Sequence, residues 1–200
     1  MESIESINRS LFLIVNGGAE TPSWLVTLAL SVGDGLIYAV PAILLCMWLW
    51  GDHARRSLAL KAFAVAMLAV GANQVIGMLW QHPRPFAMGL GRAWIEHAAD
   101  SSFPSDHVTV LASLGLTFTF GGASVMAALV LISALAVAWA RVFLGVHFPM
   151  DMVGALVVAG FVLLIVTPLW QRAGTFLTDR VALIYRKALA WPIAAGWIRS

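Results

Sequence analysis

Three short stretches of the sequence bring together histidines, arginines, carboxylates and prolines, a mixture of residue types suited to phosphoryl transfer. They run from Gln81 to Phe86, from Ser102 to His107 and from Ala140 to Asp151. Phosphoryl transfer needs cations that neutralise the oxygens of the transferred group, and it needs groups that attack phosphorus or move a proton. The arginines of these stretches are the candidate cations, and their histidines are the candidate nucleophile and acid.

The third stretch has the spacing of an oriented histidine. Pro149 favours the first turn of a helix, so His147 lies just before that helix and Asp151 lies within its first turns. A carboxylate four residues after a histidine can accept the Nδ1–H, which leaves Nε2 free as a nucleophile or base. Arg141 ends the preceding helix, and Gly145 allows a tight turn between the two helices.

The other two stretches add an anion site and a rigid cation. The second stretch opens a predicted helix, so the backbone N–H groups of Ser105, Asp106 and His107 are expected to be free to bind an anion. The Ser105 hydroxyl either caps this helix or binds the same anion, and His107 can donate a proton from the first turn. Arg84 lies between two prolines, which hold a forked donor suited to phosphate.

Each of these residues, taken singly, also has an ordinary structural explanation. An arginine at a helix end is often an interface anchor, a serine often caps a helix, and a loop histidine is often structural. The histidines and carboxylates are also candidate zinc ligands, but their spacing fits no compact zinc site and the nearby arginines would repel a cation. We therefore expect no metal and no cofactor, and we interpret the set as one phosphoryl-transfer site.

The composition places these stretches in a membrane protein. The chain has 200 residues, of which 60% are hydrophobic and 11% are charged, whereas a soluble domain carries about 25% charged residues. Such a chain has too few polar groups to cover the surface of a water-soluble globule. The net charge of +2 is small and the basic residues are scattered, so we expect no nucleic-acid partner.

Apolar runs predict an all-α, polytopic bundle of about five transmembrane helices. A spanning helix needs about 20 predominantly apolar residues. Trp24–Val32 and Leu36–Trp50 form one broken span in our interpretation, with a kink near Asp34 and Pro41, and a re-entrant hairpin is the alternative. The other four runs are Leu58–Trp80, Ser105–Phe120, Ala123–Phe143 and Met150–Trp170.

The whole chain, residues 1–200, is predicted to form a single membrane-embedded domain. Its core, which contains the three stretches, covers about residues 60–165. The segments 1–20 and 172–200 are predicted to be peripheral amphipathic helices that lie on the bilayer.

The basic residues predict the orientation of the bundle, because cytoplasmic loops carry an excess of lysine and arginine. Basic residues cluster after the first and last spans, which predicts a cytoplasmic C-terminus and an outward-facing site. They are Arg55, Arg56, Lys61, Arg172, Arg180, Arg186, Lys187 and Arg199.

The three stretches resemble the tripartite signature of the type 2 phosphatidic acid phosphatase superfamily. That signature runs Lys-x6-Arg-Pro, then Pro-Ser-Gly-His, then Ser-Arg-x5-His-x3-Asp. This sequence has Gly77 in place of the lysine, Asp106 in place of the glycine and Ala140 in place of the serine. The residues that match are Arg84, Pro85, Pro104, Ser105, His107, Arg141, His147 and Asp151.

Two strings, Ser-Phe-Pro-Ser-Asp-His and Gly-Val-His-x-Pro-x-Asp, are similar to the bacitracin-resistance branch of this superfamily, whose members are undecaprenyl-diphosphate phosphatases. The resemblance implies a metal-independent hydrolase in the bacterial inner membrane, with its site facing the periplasm. Its substrate would be a polyprenyl diphosphate lipid. It would convert undecaprenyl diphosphate to undecaprenyl phosphate and phosphate, and so recycle the lipid carrier of peptidoglycan synthesis.

The resemblance also implies a role for each matched residue. His147 would attack phosphorus and form a phosphohistidine, Asp151 would orient its ring, and His107 would be the general acid. Residues implied to bind the phosphate are Arg84, Arg141, Ser105 and Asp106. Asp106 would tune the general acid or repel a wrong headgroup. The missing lysine leaves the site one cation short, and the candidates for compensation are His82, Arg92 and a water.

Other functions stay open on the sequence alone. A broader lipid phosphatase, acting on phosphatidic acid or phosphatidylglycerophosphate, would use the same chemistry, as would a lipid A phosphotransferase. A metal-dependent hydrolase is a further alternative. A non-enzymatic lipid transporter would need polar residues through the bilayer, and the spans contain few, among them Asp34, Asn73 and Gln74.

Overall fold

Helices dominate the computed structural model, which describes residues 2–200. No strand occurs in this part of the chain, so the predicted all-α class is confirmed. Two short 3₁₀ turns lie at Leu36–Tyr38 and Phe86–Met88. The α-helices are α1 (Glu2–Val15), α2 (Ser23–Gly35), α3 (Ala39–Trp50), α4 (His53–Leu79), α5 (Asp106–Phe120), α6 (Ser124–Phe143), α7 (Pro149–Ala188) and α8 (Ala190–Ala194).

The helices form a multi-pass bundle around α5. With 15 residues, α5 is about 22 Å long, and it packs against α4, α6 and α7. Even its polar residues Thr109, Ser113 and Thr117 are buried, because protein surrounds the helix. Within the described residues, four other stretches are long and apolar enough to cross a bilayer, namely Ser23–Trp50, His53–Leu79, Ser124–Phe143 and Pro149–Ala188.

The first of these spans is broken, as the sequence predicts. α2 ends at Gly35, a 3₁₀ turn follows, and α3 begins at Ala39. Pro41 lies in the first turn of α3, where its missing N–H removes no helical hydrogen bond. The break leaves Asp34 at the end of α2, where its carboxylate pairs with a side chain of α6.

The last helix, α7, differs from the sequence prediction. It runs from Pro149 to Ala188, and its 40 residues extend about 60 Å, well beyond the hydrocarbon core. The prediction of a separate peripheral helix from residue 172 is therefore wrong for residues 172–188. No proline follows Pro168 within the helix, and the ring of Trp170 fills the space beside Gly174, so the helix continues.

The antiparallel packing of α4 and α7 determines which helix ends meet. Near the start of α4, Lys61 Nζ lies 3.0 Å from Thr167 Oγ1, and the indole of Trp170 donates to Ser57 Oγ at 3.1 Å. The end of α4 therefore lies beside the start of α7 at the opposite end of the bundle. Because α5 and α6 are joined by a tight turn, the start of α5 and the end of α6 lie there too.

The amphipathic helix α1 covers this end of the bundle. Phe12 is fully buried, and its ring meets that of Phe148 edge to face at a centroid distance of 5.3 Å. The side-chain oxygen of Asn8 accepts a hydrogen bond from the backbone N–H of Met150 at 3.0 Å. α1 thus contacts the start of α7 directly.

A glycine turn joins α6 to α7. Gly145 has φ of +81°, and a Cβ at this position would collide with the carbonyl oxygen of Arg92. Gly122, in the turn between α5 and α6, has φ of +77° but open space around its Cβ position. The two positions share the same backbone strain and differ in the steric contact.

This difference predicts unequal effects of alanine at the two turns. Gly122→Ala should add only the strain of a left-handed backbone, about 1–2 kcal/mol. Gly145→Ala should add a backbone clash to that strain, and should lower the thermal unfolding temperature in detergent by several degrees more. Circular dichroism of the purified variants measures both shifts, and equal shifts would contradict the tight approach of Arg92 to the turn.

Candidate active site

The three stretches identified in the sequence meet at a cavity of about 470 Å³ at the covered end of the bundle. Five of the predicted site residues line it, namely Arg84, Asp106, His107, Arg141 and His147. Ser105 and Asp151 are buried, at 0% and 1% exposure, and they contact residues of the site from behind. The structure therefore brings all seven predicted residues to one place.

His147 is held from both sides of its ring. Its Nδ1 lies 3.1 Å from Asp151 Oδ2, as the four-residue spacing predicts. The same carboxylate oxygen accepts the backbone N–H of Phe148 at 2.8 Å and the hydroxyl of Ser102. On the other side, Arg84 Nη1 lies 3.1 Å from His147 Nε2.

These contacts determine where the ring carries its proton. A guanidinium group only donates hydrogen bonds, so the Nε2 atom that Arg84 contacts must be the unprotonated one. The proton of the neutral ring then lies on Nδ1, where Asp151 accepts it. Burial lowers the pKa of His147, which favours this neutral form. His147 thus presents a lone pair at Nε2 to the cavity.

Arg84 is fixed by four contacts. Its Nε donates to Asp100 at 2.8 Å, and its Nη1 also donates to the carbonyl oxygen of Val146 at 2.9 Å. Its Nη2 donates to the carbonyl oxygen of Ser101 at 3.3 Å. Only 5% of the residue is exposed. The guanidinium is therefore oriented before any anion arrives, by contacts that a lysine side chain could not all make.

Arg141 is positioned from the broken first span. Its Nη1 donates to Asp34 Oδ1 at 2.7 Å, and its Nη2 donates to His97 Nε2 at 3.0 Å. Among the described residues, its buried Nε has no hydrogen-bond partner. Arg141 therefore retains a donor for an anion in the cavity.

The start of α5 differs in part from the prediction. The backbone N–H of Ser105 donates to the carbonyl oxygen of Asp151 at 3.3 Å, so this amide is not free. The Ser105 hydroxyl does not cap the helix, and within residues 2–200 it has no partner. His107, in the first turn, faces the cavity.

The carboxylate of Asp106 is occupied by amide donors from α4. Asn73 Nδ2 donates to it at 2.8 Å and Gln74 Nε2 at 3.0 Å. An ionised carboxylate only accepts hydrogen bonds, so the side chain of Asp106 cannot bind a phosphate oxygen. Its predicted place among the phosphate-binding residues is wrong for the side chain, and only its backbone N–H can act in that way.

Four residues at the site carry no predicted role in the sequence: Asp34, His97, Asp100 and Ser102. A signal existed for Asp34, because a carboxylate within an apolar run is costly unless it has a partner. Ser102 lies inside the second stretch, but its contact with Asp151 depends on the fold. The described residues contain no cluster of three or more His, Cys, Asp or Glu side chains that could hold a metal ion.

Comparison with known proteins gives consistent matches. The sequence pattern of the PAP2 superfamily matches residues 58–175. The chain is 36% identical over 197 residues to an Escherichia coli (strain K12) protein named "Putative undecaprenyl-diphosphatase YbjG", covering 98% of this chain and 100% of that one. It is 31% identical to the undecaprenyl-diphosphatase BcrC of Bacillus subtilis (strain 168), covering 90% and 91% of the two chains.

Two solved structures share the fold. The PAP2-type phosphatidylglycerolphosphate phosphatase of Bacillus subtilis superposes with a TM-score of 0.65 at 17% identity, covering 86% of this chain and 88% of that one. LpxE of Aquifex aeolicus superposes with a TM-score of 0.61 at 20% identity, covering 80% and 93%. At these identities the two structures show a common architecture.

The contacts of Arg84 predict the result of a conservative substitution. Arg84→Lys keeps the charge but loses the fork, so binding of orthovanadate to the purified protein should weaken by at least about tenfold. The matched control is Arg92→Lys, because Arg92 stacks on Trp94 at 4.3 Å and does not line the cavity. Isothermal titration measures both affinities, and an unchanged affinity in Arg84→Lys would show that its geometry does not matter.

Proposed function

This chain belongs to the PAP2 superfamily, and from that premise we propose that it is a membrane lipid diphosphatase that hydrolyses undecaprenyl diphosphate. The observation that carries the proposal is the unprotonated Nε2 of His147, which faces a cavity that two arginines also line. The relatives named undecaprenyl-diphosphatase match along nearly the whole chain, which supports this substrate.

The first step would transfer the terminal phosphoryl group to His147. The Nε2 lone pair attacks the terminal phosphorus, the N–P bond forms, and the bond from phosphorus to the bridging oxygen breaks. His107 donates a proton to that oxygen, and undecaprenyl phosphate leaves. Arg84 and Arg141 bind the oxygens of the phosphoryl group during its transfer. Arg84 Nη1 must therefore move from His147 Nε2 to a phosphate oxygen.

The second step would return the enzyme to its starting state. Water attacks the phosphorus of the phosphohistidine, the N–P bond breaks, and His107 takes the proton of the water. Phosphate leaves, and the sum of the two steps is hydrolysis of the diphosphate. Asp151 stabilises the ring while it carries phosphorus, and Ser102 orients Asp151 through the shared oxygen.

The distribution of charge supports an outward-facing site in the bacterial cytoplasmic membrane. The basic residues at the start of α4 and in the second half of α7 lie at the end of the bundle opposite the cavity. There, His53 pairs with Asp179 at 2.9 Å. Since cytoplasmic segments are enriched in lysine and arginine, the C-terminus would be cytoplasmic and the cavity would open to the periplasm.

The proposed activity predicts phosphate release from lipid diphosphates. Purified protein in detergent should release phosphate from undecaprenyl diphosphate faster than from phosphatidic acid or phosphatidylglycerophosphate. His147→Ala should reduce the rate by at least about 10³-fold, because the nucleophile is lost. The control is His53→Ala, since this exposed histidine lies at the other end of the bundle.

Two outcomes would contradict the proposal. Full activity in His147→Ala would refute the nucleophile, and a preference for phosphatidic acid would refute the substrate.

The orientation is tested in right-side-out spheroplasts with farnesyl diphosphate, a charged substrate that does not cross the membrane. Phosphate release outside the spheroplasts that is lost in His147→Ala would support a periplasmic site. Release only after lysis would contradict it.

A further inference from the structure

The site lacks one cation that its family signature contains. Position 77, where the first motif has lysine, is Gly77, and it lines the cavity against Ser101. A Cβ at this position would lie 3.3 Å from Ser101 Cβ, so the backbone of α4 packs closely there. A diphosphate in the cavity would therefore meet the guanidinium groups of Arg84 and Arg141 but no lysine.

Neither residue that the sequence offers as a substitute is well placed. Arg92 stacks on Trp94 and does not line the cavity. His82 lines it, but its ring packs against Trp80 and Phe148, and its Nε2 faces Glu5 at 3.6 Å.

His97 is better placed than either. It lines the cavity, and its ring centroid lies 6.4 Å from that of His147. Arg141 Nη2 contacts His97 Nε2 at 3.0 Å, so this nitrogen is unprotonated, by the same argument that applies to His147. The ring proton lies on Nδ1, which donates to the carbonyl oxygen of Ala98 at 3.1 Å. In the empty site His97 is therefore a neutral acceptor that engages Arg141.

On the basis of the proposed function, we propose that His97 is a phosphate-binding residue that replaces the missing lysine by taking up a proton when the diphosphate binds. A phosphate oxygen would accept the hydrogen bond from Arg141 Nη2 in place of His97. This exchange frees the Nε2 atom of His97. His97 Nε2 then binds a proton from solvent and donates it in a hydrogen bond to a phosphate oxygen. The site would thus gain a further positive charge only while the anion is present.

The charges around His97 favour this coupling. The charged or titratable residues that line the same cavity are His82, Arg84, Asp100, Asp106, His107, Arg141 and His147. Burial, with the positive charge of Arg84 and Arg141, lowers the pKa of His97 in the empty site, although the hydrogen bond to the Ala98 carbonyl and the charge of Asp100 act in the opposite direction. A bound phosphate offsets the positive charge of both arginines, so the pKa rises and the imidazole becomes a cation.

The test measures protons taken up when inorganic phosphate binds to the purified protein in detergent. Titration calorimetry at one pH, in two buffers of different ionisation enthalpy, gives this number. His97→Gln keeps an oxygen that can accept from Arg141 but cannot become charged. The His97→Gln variant should bind phosphate about tenfold more weakly than the wild type. For each phosphate bound, it should take up fewer protons, the difference being at most about one.

His82→Gln is the matched control, because it makes the same change in the other histidine of the cavity wall. It should take up as many protons as the wild type. The ionisation of phosphate itself is the same for all three proteins and cancels. Equal uptake by the wild type and His97→Gln, at equal unfolding temperatures, would overturn the proposal, as would a loss of uptake confined to His82→Gln.

This result is independent of hydrolysis. If the wild type binds phosphate with uptake that depends on His97, yet does not cleave undecaprenyl diphosphate, the proposed function fails and the phosphate-binding role stands. If the wild type cleaves undecaprenyl diphosphate, and His97→Gln cleaves it and binds phosphate equally well, only the role of His97 fails.

Discussion

The side chain of Arg84 can only donate hydrogen bonds, and this constraint determines the chemical state of the buried His147 beside it. Because Nη1 contacts Nε2 at 3.1 Å, that nitrogen must keep its lone pair, and the proton must lie on Nδ1 towards Asp151. In the proposed mechanism, the cation that binds the phosphate thus also prepares the nucleophile. A phosphate oxygen would take over the Arg84 contact, and the lone pair of Nε2 would be released where phosphorus arrives.

The fold maintains this arrangement by bringing helix ends together with the largely non-helical segment 80–105, which carries Arg84, His97, Asp100 and Ser102. Antiparallel packing brings the end of α4, the start of α5, the end of α6 and the start of α7 to one cavity. The glycine turn at Gly145 lets α6 and α7 follow each other closely. The break in the first span places Asp34 on Arg141, so an interruption in a transmembrane helix orients a cation of the proposed phosphate site.

The sequence predicted the parts of the site whose geometry is local. The spacing of His147 and Asp151 is a property of one helix start, and it was recognisable without the fold. The pairing of Asp34 with Arg141 joins residues 107 positions apart, and it depends on how α2 packs against α6. The same holds for His97 on Arg141 and Ser102 on Asp151. The sequence does not reveal the occupied side chain of Asp106, because the amide donors of Asn73 and Gln74 come from another helix. The sequence underestimates the length of α7, because the apolar run ends near Trp170 whereas the helix continues to Ala188.

Trapping the covalent intermediate would identify the nucleophile and the atom that carries the phosphoryl group. The protein is mixed with farnesyl diphosphate that is labelled in its terminal phosphate. The reaction is quenched in alkali, because phosphohistidine is stable there, and the protein is then digested. Mass spectrometry locates the labelled residue, and chromatography of the released phosphohistidine separates the Nδ1 and Nε2 isomers. We expect phosphate on His147, and only as the Nε2 isomer. Label on His107, the Nδ1 isomer, or no labelled histidine during active turnover would refute His147 Nε2 as the nucleophile.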